Sequence, residues 1–157
     1  GLSYSGASYT GQSLGKKRPD LAEAYGKIGV RIALIISVIG FVLYFGLRNV
    51  VFDIFTQDRL VWQLGADIMI LMAFASFPQA LQLVYSGVLK GAGDNFYVMK
   101  YSLFVIAIFR PIITYLLCFT WGFGLYGAWI ALLIDQSMRT AFSGWRFRSG
   151  VWQHIKI

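Results

Sequence analysis

The sequence predicts an all-α, polytopic membrane helix bundle, with four full spans preceded by the end of a fifth helix. Three observations lead there. Hydrophobic residues make up 57% of the 157-residue chain and charged residues only 13%, where a soluble domain carries about a quarter charged. Four segments approach or exceed the ~20 mostly apolar residues that cross a hydrocarbon core, at about residues 28–47, 64–89, 98–121 and 125–145. The basic residues crowd into every second connection, the pattern of cytoplasmic loops. Strands in lipid would need a closed barrel of alternating polarity, which long unbroken apolar runs do not supply.

Residues 1–15 are rich in Gly, Ala and Ser, small side chains that let helices approach closely in lipid, and read as the end of a truncated transmembrane helix. The chain starts with Gly and shows no signal peptide, so it is expected to begin within a longer protein. A basic cluster (Lys16, Lys17, Arg18) then leads into "PDLAEA", with Pro19 at an early helical position and Asp20 and Glu23 where a helix start favours negative charge. The first span follows. "VVFDIFTQD" is apolar on one side and is expected along the outer interface before the second span. The second and third spans are joined by "SGVLKGAGDNF", the third and fourth by the uncharged "WGFG". Residues 16–148 thus read as a four-span membrane bundle and 149–157 as a cytoplasmic tail. Trp62, Trp121, Trp145 and Trp152 fall near span ends, as an aromatic belt requires.

Fourteen Lys and Arg against seven Asp and Glu give a net charge of +7. The bases flank apolar runs, which points to topology rather than to nucleic acid. Going along the chain the connections are basic, balanced, basic, neutral and basic. The positive-inside rule puts the three basic ones, and the C-terminus, in the cytoplasm. The lone cysteine, Cys118, lies in an apolar run and reads as a packing residue. No nucleophile–base constellation, phosphate-binding loop or Cys/His cluster is visible, so neither an enzyme, a cofactor nor a metal site is expected. His154 has no metal-ligand companions.

Several stretches resemble one family. "GQSLGKKRPDLAEA" is similar to the loop after the eighth helix of multidrug and toxic compound extrusion (MATE) transporters. "SGVLKGAGDNF" resembles that family's cytoplasmic turn after the tenth helix, and "RPIITYLL" and "GLYGAWIALLID" its eleventh and twelfth helices. The resemblance implies the C-terminal lobe of a two-lobe exporter lacking its N-terminal lobe and seventh helix. The implied activity is antiport of drug-like, often cationic, organic compounds against protons or sodium in the plasma (inner) membrane. The family's sodium-coupled branch carries an acidic residue on the tenth helix. The turn motif aligns that position with Gln79, which cannot titrate, so no ion site is expected in this chain. Alternatives are a lipid-linked sugar flippase of the same superfamily and a small stand-alone membrane scaffold subunit.

Polar groups inside spans are functional candidates by default. Ala75, Gln79, Gln82 and Ser86 recur on one helical face beside Pro78. They are expected to wall a water-filled substrate pathway, or simply to bond adjacent helices. Lys90, Gly91, Gly93 and Asp94 read as a tight cytoplasmic turn, either a built connection or a hinge, with Gly87 easing the helix exit and the Asp94 carboxylate capping the next helix. Arg110 and Asp135 lie equidistant from the "WGFG" turn, so an antiparallel hairpin predicts a direct or water-mediated intramembrane pair, with Arg139 as competitor for Asp135. Such a pair would lock the helices, or let Asp135 trade a proton or Arg110 hold a conformational state. Asp67 is expected to be solvated near the outer end, and the aromatic and basic tail to meet lipid headgroups.

Overall fold

The computed structural model describes residues 1–55 and 58–154, and every regular element among them is helical. Helix α1 (Leu2–Gly15) ends in a turn where Lys17 takes a left-handed φ of 56°. The next helix, α2 (Pro19–Phe55), starts on the expected proline, whose missing N–H is harmless in a first turn. At 37 residues it is about 55 Å long, far beyond the expected 28–47. The apolar "VVFDIF" continues this helix rather than lying apart from it; Thr56 and Gln57 of the same stretch lie outside the described residues. Asp58 caps α3 (Arg59–Gly91), accepting from the Leu60 amide at 2.9 Å. Trp62 Nε1 donates to the Asp53 carboxylate at 2.8 Å, tying the two helix ends.

After the 92–94 turn the chain runs from Asn95 to Thr120 as one helical rod of mixed pitch. It comprises α4 (Asn95–Phe104), a π-helical turn (Val105–Phe109), α5 (Arg110–Tyr115) and a second π turn (Leu116–Thr120). Pro111 accounts for the first widening: a proline lacks the amide and crowds the carbonyl four residues back, and a wider turn relieves both. The last helix, α6 (Gly124–Ser149), ends at Gly150 with φ 69°, followed by a single 3-10 turn, Val151–His154.

Among the described residues three stretches are long and apolar enough to cross a membrane: Pro19–Ile54, Arg59–Gly91 and Asn95–Thr120. α6, expected as the fourth span, falls short of that hydropathy, since it carries Asp135, Gln136, Arg139, Thr140 and Ser143 along one stretch. α3 is the hub, packed against α1, α2, α4 and α6.

The buried core gathers at one end of the bundle. Ala22, Val88, Leu89, Ala92, Val98, Tyr101, Phe147 and Trp152 form it, where the turn after α1, the turn after α3 and the end of α6 meet. Trp152 corrects its expected place in an aromatic belt: it is fully buried, stacked on Phe147 at 5.5 Å, and its Nε1 donates to the Phe147 carbonyl. The left-handed turn at Gly150 brings it back into the core. Trp121 and Trp145 remain exposed, as a belt requires.

Gly87 and Gly91 also differ from expectation. Both lie inside α3 and serve packing, while Gly93 alone of the three carries a positive φ, 82°. A β-carbon on Gly87 would lie 2.5 Å from the Ser3 carbonyl oxygen, and one on Gly91 would strike the Ala7 backbone. This is a small-residue crossing four residues apart on both helices. Gly87→Ala is expected to cost about 1–3 kcal/mol through overpacking. Gly6→Ala, whose β-carbon meets only Val88, its Cγ2 at 3.8 Å and its amide nitrogen at 4.0 Å, should stay within about 0.5 kcal/mol. Unfolding of the two variants in detergent checks this; equal losses would contradict the crossing.

Candidate functional site: a polar seam between α3 and α6

Pro78 leaves α3 continuous, and its carbonyl oxygen accepts from Thr140 Oγ1 at 2.6 Å. That bond pins α6 against the middle of α3. Beside it a cavity of about 220 Å³ opens among α2, α3 and α6, lined by Tyr44, Ala75, Ser76, Gln79, Trp129 and Gln136 with Met72 and Leu132. The polar face expected on α3 is divided by this geometry. Gln79 is exposed to the cavity, Gln82 lies beside the Tyr101 hydroxyl of α4, and Ser86 is buried, donating to the Leu83 carbonyl at 3.2 Å.

The charges pair differently from the hairpin expectation. Asp135, fully buried, accepts from Arg139 Nη2 at 2.8 Å one turn along the same helix. Arg110 makes no ion pair among the described residues, and this corrects the predicted direct Arg110–Asp135 contact. The π turn at Leu116–Thr120 lies between the hairpin and Arg110 and shifts the helix phase. Equal distance from the turn therefore no longer means a shared face. Arg110 is instead half-buried beside Pro111.

Four buried polar atoms of this region have no hydrogen-bond partner among the described residues: Asp135 Oδ1, Gln136 Oε1, Arg139 Nε and Tyr101 Oη. Leaving such an atom unmet costs about 1–3 kcal/mol, so their concentration on one seam sets it apart from a packed apolar interface. Gln136 and Tyr101 were not singled out in the sequence. The available signal for Gln136 is its i,i+3 spacing to Arg139; Tyr101 sits in an ordinary apolar run.

The 90–94 turn is bolted rather than loose. Lys90 is exposed, Gly91 is pressed on Ala7, and Asp94 occupies the N-cap position of α4 without capping it. Its buried carboxylate accepts from Arg146 Nε of α6 at 2.7 Å, and the Arg146 guanidinium lies 4.8 Å over the Tyr97 ring. Asp94 and Arg146 stand at the same end of neighbouring antiparallel helices, which is how their pairing was legible and missed. Gln153 donates to Glu23 at 3.2 Å, joining the tail to α2. At the opposite end Asp67 accepts from Tyr126 Oη at 2.9 Å beside an open cavity of about 460 Å³ that Arg48 and Trp62 also line. Among the described residues no group of three or more His, Cys, Asp or Glu could hold a metal.

Long apolar helices, a small-residue crossing and buried charge pairs define a multi-pass helical membrane protein. The MatE family model matches residues 1–116, and the chain belongs to that family. It is 28% identical, over 99% of its length, to an uncharacterized transporter of Schizosaccharomyces pombe. To a "Probable multidrug resistance protein NorM" of Halalkalibacterium halodurans it is 29% identical over 88% of its length. To DETOXIFICATION 55 of Arabidopsis thaliana it is 25% identical over 86%. The chain spans 29%, 30% and 27% of these relatives respectively, under a third of each. No solved structure matches it.

Removing one partner of a buried ion pair strands the other, at about 3–5 kcal/mol. Arg139→Leu should therefore destabilise the chain by that order, while Arg110→Leu should cost less than about 1 kcal/mol. Thermal unfolding in detergent decides, and the reverse order would restore the hairpin pairing.

Proposed function

We propose that the chain is the greater part of one lobe of a secondary exporter for drug-like, often cationic, organic compounds, exchanged for protons or sodium. Membership of the MatE family across residues 1–116 carries this reading, and a relative named for multidrug resistance supports it. On this reading α6 is a fourth span, made less apolar by its polar seam, and α1 is the end of a further helix. The partners are membrane lipids and a second lobe, against which this one rocks as a body. The basic residues of the α1–α2 turn, the α3–α4 turn and the end of α6 share one end of the antiparallel bundle. That end, with the C-terminus, faces the cytoplasm in the plasma (inner) membrane.

Gln79, on the exposed side of α3 by the Tyr44 and Trp129 rings, is the residue to contact substrate, with Gln82 and Ser86 shaping the wall behind it. A neutral amide cannot carry the coupling charge, so the coupling ion is held elsewhere. The turn at Lys90, Gly91, Gly93 and Asp94 moves with the lobe as part of its rigid end.

The test replaces the matching segment of the Halalkalibacterium relative with this chain and measures growth of a drug-sensitive host and drug efflux. The chimaera should confer resistance, and Gln79→Ala in it should weaken drug affinity about fivefold, the loss of one hydrogen bond of about 1 kcal/mol. The chain alone in proteoliposomes should move no drug under an imposed ion gradient. A membrane-inserted chimaera without resistance, or transport by the chain alone, would contradict the proposal.

A further inference from the structure

The unmet atoms of the seam are matched in kind. Arg139 Nε–H and the Tyr101 hydroxyl are donors, and Asp135 Oδ1 and Gln136 Oε1 are acceptors. They are close-set. Asp135 and Gln136 stand one helical turn before Arg139, and Ser143, one turn beyond Arg139 and bonded to its carbonyl, lies with Gln82 and Ser102 beside the Tyr101 hydroxyl. Buried polar groups find partners in protein or in ordered water, and these have none among the described residues. Gln136 also lines the cavity of about 220 Å³, which reaches the exposed side chain of Gln79. At ~30 Å³ per water that space admits several molecules.

We infer that the Tyr101–Asp135–Gln136–Arg139 cluster is an internal water-binding site, filled through the cavity beside Gln79. Water entering there accepts from Arg139 Nε and Tyr101 Oη and donates to Asp135 Oδ1 and Gln136 Oε1. This gives the buried carboxylate a route for proton exchange with solution that a dry interface would deny it. The inference stands on the geometry of the seam and is independent of what the protein transports.

X-ray radiolytic footprinting of the 157-residue chain in nanodiscs tests it, because hydroxyl radicals form where water is bound. Tyr101 and Trp152 are both buried, at 6% and 0% exposure, but the Trp152 Nε1 is already satisfied by protein. Bound water at the seam should make Tyr101 label at least about fivefold faster than Trp152, although indole is the more reactive ring. Gln136→Leu, which keeps the Asp135–Arg139 pair, should bring Tyr101 down to the Trp152 rate. Labelling of Tyr101 no faster than Trp152 in the unaltered chain would overturn the site, and it needs no variant. An unchanged Tyr101 rate in folded Gln136→Leu would overturn entry through the cavity.

Discussion

Where α1 crosses α3, the two backbones touch: the Ser3 carbonyl and the Ala7 backbone occupy the space that side chains on Gly87 and Gly91 would need. Lipid tails are as apolar as leucine, so helices in a bilayer gain little from hiding apolar faces and depend on close van der Waals approach. The crossing supplies that approach and governs where the later elements sit. It fixes the end of α3, brings Leu89 and Ala92 under Ala22, and seats Trp152 and Phe147 against them. With the turn so placed, Asp94 comes within 2.7 Å of Arg146, and α6 is drawn onto α3.

The two buried ion pairs among the described residues differ in what surrounds them. Asp94–Arg146 joins separate helices at the basic end and shares its surroundings with the Tyr97 ring and the apolar core. Asp135–Arg139 lies within one helix and leaves polar capacity unmet around it. The first closes a packed end. Next to the second, Gln136 lines a cavity that the exposed Gln79 of α3 also lines. On the proposed exporter reading, a lobe moving as a body uses the first kind of end, and a transport pathway uses a wall of the second kind.

The helical class and the start of α2 at Pro19 were legible because each rests on local chemistry: apolar length, and a proline placed where its missing amide is harmless. Asp135 was legible as a charge needing a partner, and Arg139 as a candidate by its spacing. The choice between Arg139 and Arg110 was not, since counting back from the "WGFG" turn assumes a uniform helix and the rod holds two π turns. Gly87 and Gly91 carry the residue type of a turn and of a close crossing alike, and only the position of α1 separates the two. Trp152 depends on the left-handed residue at Gly150, which folds a tail that reads as interfacial back into the core. The cavity beside Gln79 joins three helices distant in sequence and has no local signature.

The close crossing is tested most directly by disulfide trapping in membranes. With Cys118 replaced by Ser, Gly6→Cys and Val88→Cys introduce the two thiols; the Gly6 β-carbon direction meets Val88 Cγ2 at 3.8 Å. Mild oxidation should join them nearly completely within one chain, while Gly15→Cys with Val88→Cys should remain reduced. If the thiols introduced at Gly6 and Val88 stay reduced, or link only between chains, the bundle is not held together by this crossing.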